Sequence, residues 1–129
     1  QAWTELSSIN WITSGSNAIL INSKKLETIF GNLGSFNGLT LRTPSIKTIS
    51  LNSSNYTGNL TLDSASSYPN LNSIDISKSK IQLTASNLTI SKLNISNINN
   101  PYGTIKISGC SALTEFTYNN LTLNNLTFS

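Results

Sequence analysis

Five carboxylates, eight cations, four tyrosines, one thiol and no histidine make up the titratable side chains of this sequence. Without histidine there is no Ser-His or Cys-His nucleophile pair and no ordinary zinc site. What carboxylates could do by themselves is glycoside hydrolysis, which needs two of them about 5–9.5 Å apart. The acids are Glu5, Glu27, Asp63, Asp75 and Glu115. Asp63 and Asp75 fall on successive extended segments, and nothing in their spacing places them on one face. A calcium site would need several clustered oxygen ligands, and no such cluster is visible. Arg42 is the only arginine, and no phosphate-cradling glycine motif is present. Cys110 has no cysteine to pair with, and a lone thiol reads as a small packed residue. No catalysis, no cofactor and no metal are expected.

The elements that carry these residues are set by composition. Ser, Asn and Thr supply 56 of the 129 residues, Leu and Ile another 32, and only 13 are charged. Low charge with many large aliphatics argues against disorder. Ser, Thr and Asn compete with the helix backbone for hydrogen bonds and argue against a helical fold. The net charge of +3 is spread along the chain rather than gathered into a basic stripe, so nucleic acid is not expected as a partner. No stretch reaches the roughly 18 apolar residues of a spanning helix, so no membrane insertion is expected. The chain begins at Gln1, which leads us to expect a piece of a longer protein.

A repeat organises the whole sequence as a single domain over residues 1–129. Six segments share the pattern apolar-x-x-apolar-x-apolar: Leu6-Ile9-Trp11, Leu26-Ile29-Gly31, Ile46-Ile49-Leu51, Leu71-Ile74-Ile76, Ile90-Leu93-Ile95 and Leu113-Phe116-Tyr118. Their starts are 20, 20, 25, 19 and 23 residues apart, within the roughly 20–29 residue period of leucine-rich repeats. Between them lie apolar pairs with one residue in the middle: Ile19/Ile21, Leu39/Leu41, Leu60/Leu62, Ile81/Leu83, Ile105/Ile107 and Leu126/Phe128. Alternation with period two is the strand signature. The expected fold is an all-β, parallel β-solenoid, leucine-rich-repeat-like, of about six coils with two short strands each. Stacking then joins the apolar sides of the coils into one core.

The segment Ser108-Gly109-Cys110-Ser111-Ala112-Leu113-Thr114-Glu115-Phe116 resembles the Ser-Gly-Cys-Ser-x-Leu-Thr junction of BspA-type leucine-rich repeats. The earlier coils keep the aliphatic ladder but lack that cysteine. The resemblance implies a surface protein that adheres or recognises through its repeats, without catalysis.

Stacking also lines up the outward residues of the longer strand. The first column is Ser7, Glu27, Lys47, Asn72, Ser91 and Thr114; the second is Ser8, Thr28, Thr48, Ser73, Lys92 and Glu115; the third is Asn10, Phe30, Ser50, Asp75, Asn94 and Thr117. Glu27 then meets Lys47, and Lys92 meets Glu115, with no like charges adjacent. The candidate binding residues on this face are Phe30, Lys47, Asn72, Asp75 and Lys92. Phe30 stands out as an aromatic on a polar face, whereas Tyr56, Tyr68 and Tyr102 fall in turns and read as turn packing. Seven Asn-x-Ser/Thr sequons occur, against about five expected from composition alone, so they carry no argument.

The expected function is a non-catalytic extracellular recognition or adhesion module of a larger bacterial cell-surface protein, its partner a glycan or protein receptor on another cell. The alternative is a structural or receptor-binding module of a phage tail fibre or capsid fibre. Its partners would then include other subunits of a homo-oligomer or virion. No polar cap follows the last coil, which also points to continuation or docking.

Overall fold

The structure, a computed structural model, describes residues 8–13 as strand backbone, and residues 18–35 and 38–129. It is an all-β parallel solenoid of about five turns, with no helix among those residues. Twelve strands follow one another: β1 (Ser8–Thr13), β2 (Ile19–Asn22), β3 (Thr28–Leu33), β4 (Leu39–Arg42), β5 (Thr48–Ser50), β6 (Asn59–Leu62), β7 (Ser73–Asp75), β8 (Gln82–Ser86), β9 (Lys92–Asn94), β10 (Asn99–Ser108), β11 (Glu115–Thr117) and β12 (Thr122–Phe128). The odd-numbered strands form one six-stranded parallel sheet in chain order. The even-numbered ones form a four-stranded sheet, β12-β10-β8-β6, and a separate pair, β2-β4. The six coils expected from sequence are six rungs, and about five turns connect them. The first coil start at Leu6, with Glu5, Ser7 and Gly15, lies outside the described residues, as do the side-chain directions assigned to Ser8, Ile9, Asn10 and Trp11.

Why the chain coils this way is visible in burial. Ile29, Ile49, Ile74 and Leu93 stack as neighbours on the odd sheet, and each is at most 2% exposed. A fully buried Leu or Ile contributes about 1.5–3 kcal/mol, and each one in the stack gains it from the rungs on either side. The chain leaves the odd strands through a left-handed residue in successive rungs: Ser53, Lys78, Asn97 and Asn120, with φ between 51 and 59°. The turns stack as well. Ser53, Lys78 and Asn97 each donate their backbone N–H to the next rung, and the Asn120 side-chain amide donates to Asn97 Oδ1 at 3.1 Å. Asparagine tolerates this backbone better than most residues.

The Ser-Gly-Cys junction has its own physical account. Gly109 has φ +62°, and a Cβ there would run into Asn87 Oδ1. Cys110 is 9% exposed and packs on the core. Leu113 N–H closes the turn onto Cys110 O at 3.2 Å, and Thr114 Oγ1 donates to Ser91 O at 3.2 Å.

Two details depart from the sequence reading. In the fourth coil the pair in register with Leu60/Leu62 and with Ile105/Ile107 is Leu83/Ala85 and not Ile81/Leu83; Ile81 is just as buried but lies ahead of the strand. A slip of two residues keeps every side chain on its face, so alternation alone cannot fix it, and Ala85 is too small to mark itself. The second departure is in the even sheet, which is interrupted between β4 and β6. The third coil, from Ile46 to Leu71, is the longest, and two of its tyrosines span that gap. Leu39 N–H donates to the Tyr56 hydroxyl at 3.0 Å, and that hydroxyl donates to Asn59 O at 3.1 Å. The Tyr68 hydroxyl donates to Leu41 O at 2.7 Å. Phenol oxygens thus take up backbone groups of β4 that a neighbouring strand would otherwise have paired. Burial pushes both phenols above the ordinary value of 10.0; the bond from Leu39 opposes this at Tyr56, and nearby Asp63 adds to it at Tyr68.

Candidate functional site

The outward face of the odd sheet has the register that the columns required. Thr28, Thr48, Ser73, Lys92 and Glu115 are consecutive cross-strand partners, and so are Phe30, Ser50, Asp75, Asn94 and Thr117. The first column is tied just ahead of the strands: Lys47 N–H donates to Glu27 O, Asn72 N–H to Lys47 O, Ser91 N–H to Asn72 O and Thr114 N–H to Ser91 O, all at 2.8–3.0 Å. Both expected ion pairs are present, Lys47–Glu27 at 3.1 Å and Lys92–Glu115 at 3.5 Å. All four side chains are about half exposed, so each pair contributes about 0–1 kcal/mol and serves register more than stability.

The five candidate residues share this face but not one cluster. Phe30 is 38% exposed and stands two rungs from Asp75 in its column, about 9.6 Å along the stack. Lys47 and Asn72 are neighbours in the first column. Asn72 Oδ1 accepts the Ser91 hydroxyl at 2.7 Å, which fixes its amide. Asp75 and Lys92 are brought together with Asn94, Glu115 and Thr117 around one shallow open groove. Asp75 Oδ1 accepts Ser77 N–H at 2.9 Å, and Asn94 Oδ1 accepts Ser96 N–H at 3.0 Å. Such local bonds hold the two side chains in place for a partner without a further entropic cost. The groove offers carboxylate, amide, hydroxyl and ammonium groups in fixed order, the donor and acceptor set suited to hydroxyl-rich ligands.

Sequence reasoning missed that Glu115, Asn94 and Thr117 complete this groove, because the columns were weighed singly. It put Asp75 and Glu115 in different columns of one face, and the structure brings both to the same groove with Lys92. It also missed the role of Tyr56 and Tyr68. Of the three tyrosines read as turn packing, Tyr56 is 1% exposed, Tyr68 7% and Tyr102 89%, so Tyr102 presents its ring broadly to solvent, whereas Tyr68 shows only a small part of its surface, beside Pro44. The sole hint was the 25-residue spacing of the third coil. Among the described residues, no group of three His, Cys, Asp or Glu is placed to hold a metal.

Comparison with protein-family models, with curated proteins and with solved structures finds no match.

Proposed function

We propose that this chain is a non-catalytic recognition module of a larger bacterial cell-surface protein. It binds a glycan or protein receptor on another cell through the outward face of the odd sheet. The observation that carries this reading is the in-register third column, Phe30-Ser50-Asp75-Asn94-Thr117, beside the Lys92–Glu115 pair. An aromatic ring and a row of held polar groups on one flat surface suit a partner that spans several rungs. The likeness of residues 108–116 to the BspA-type junction supports the same setting. The assay is binding to immobilised cell-surface glycans and matrix proteins by the chain and by Phe30→Ala and Asp75→Asn. Loss of binding by about tenfold without a change in melting temperature is expected. A chain that binds nothing on either panel, or variants that bind as well as the parent, would sink the reading.

A further inference from the structure

The long third coil does more than bridge the gap in the even sheet. Residues 63–70 form a turn, with Tyr68 N–H donating to Ser64 O at 3.2 Å and the Tyr68 hydroxyl reaching Leu41 O of β4. Ser64 holds the loop through Ser66 N–H at 3.1 Å, and Ala65 N–H reaches Asn87 O at 3.0 Å. Between loop and strand lies an open, shallow cavity of about 330 Å³, lined by Leu41, Pro44 and Tyr68 and by Lys24, Arg42 and Thr43.

We infer that this cavity binds a sugar acid, its carboxylate held by Lys24 and Arg42 and its ring lying against Pro44 and Tyr68. Three observations converge on that ligand. First, the charges are unmatched. Lys47 and Lys92 each have a carboxylate partner, whereas neither Lys24 nor Arg42 makes an ion pair among the described residues. A guanidinium fork matches a carboxylate in bidentate fashion. Second, Thr43 is 1% exposed, yet its hydroxyl has no hydrogen-bond partner. Buried hydroxyls are almost always satisfied; Ser96 Oγ is unpaired as well, but Thr43 lines this cavity, where a small shift would bring its hydroxyl to a ligand. Third, Asp63 is close enough to act on Tyr68. The lining itself carries Lys24 and Arg42 and no carboxylate, and Asp63 lies outside it, which suits a ligand with a single carboxylate and hydroxyls. The site lies on the even-strand side, away from the Phe30 column, and does not rest on the recognition reading above.

The test is a titration of the whole chain with D-glucuronate, followed by amide shifts, with glucose as the uncharged counterpart. Glucuronate is expected to move the amides of residues 41–43 and 67–68 and leave those of Ser73–Asp75 in place. Arg42→Ala and Lys24→Ala are each expected to weaken binding about tenfold with unchanged melting, since both side chains are exposed. Thr43→Val keeps the volume and reports on the hydroxyl alone. Equal responses to glucose and glucuronate, competition by inorganic sulfate at the same concentration, or undiminished binding by Arg42→Ala would each overturn the assignment. Shifts confined to the odd-sheet face would do so as well.

Discussion

Replacing Tyr56 with Phe removes a single oxygen and leaves the ring in place, which makes it a clean probe of the gap between β4 and β6. That oxygen accepts from Leu39 N–H at 3.0 Å and donates to Asn59 O at 3.1 Å. Leu39 is 6% exposed, so its N–H loses its partner where water is scarce, a cost of about 1–3 kcal/mol. Asn59 is exposed and its carbonyl can turn to water, so its share is below about 1 kcal/mol. The expected loss is therefore about 1–4 kcal/mol, with no cavity contribution because the ring is retained. Urea unfolding measured by circular dichroism reads the change, and Tyr102→Phe serves as control because Tyr102 is 89% exposed. Gly58→Ala tests the same contact from the other side. A Cβ at Gly58 would come within 2.6 Å of Tyr56 Cε1 and run into the hydroxyl. The two substitutions act on one contact, so the double variant should lose less than their sum. If Tyr56→Phe stays within about 0.5 kcal/mol of Tyr102→Phe, the tyrosine is a passenger and the bridge carries no weight.

Other measurements probe the rest of the stack. Because burial raises the pKa of Tyr56 and Tyr68 above 10.0, the folded chain keeps protons that the unfolded chain loses. Their contribution is fully present below pH 10 and is lost as pH rises from there through the folded values; a Tyr56→Phe/Tyr68→Phe variant should show a shallower alkaline decline, and an identical decline would refute the assignment. Gly109→Ala must adopt φ +62° against Asn87 and should lose about 1–3 kcal/mol in the same urea assay. Ala85→Leu should also destabilise by about 1–3 kcal/mol, since Ala85 is fully buried between Leu62 and Ile107; a neutral result would mean the fourth coil is in the other register. A double-mutant cycle on Glu27 and Lys47 should give less than about 1 kcal/mol, shrinking further in salt.

How much of this was legible in the residues depends on which interactions set each feature. The solenoid and the register of its odd face followed from a strict rule: Ile29, Ile49, Ile74 and Leu93 must all face inward, and Glu27 with Lys47 and Lys92 with Glu115 agree with the same alignment. The even face was harder, because Ile81 and Leu83 satisfy the alternation as well as Leu83 and Ala85 do. Long-range contacts of the third coil were out of reach. Nothing near Tyr56 or Tyr68 in sequence reveals that their hydroxyls meet Leu39 and Leu41, 17 and 27 residues earlier. The candidate site was half visible for the same reason. Its columns could be written down one by one, but the groove joins Asp75, Lys92 and Glu115 across three rungs.

The gap in the even sheet also has a mechanical meaning. A stack laddered on two sides resists bending toward either of them, as a beam with two flanges does. Between β4 and β6 one flange is cut, and two phenol hydroxyls stand in for it. Flexing is therefore expected to concentrate at that joint, with the unbroken odd sheet as hinge plate and the short even strands parting first. The turns before and after it would swing as two stiff bodies, and the side chains that line the opening between them would change their spacing with the angle.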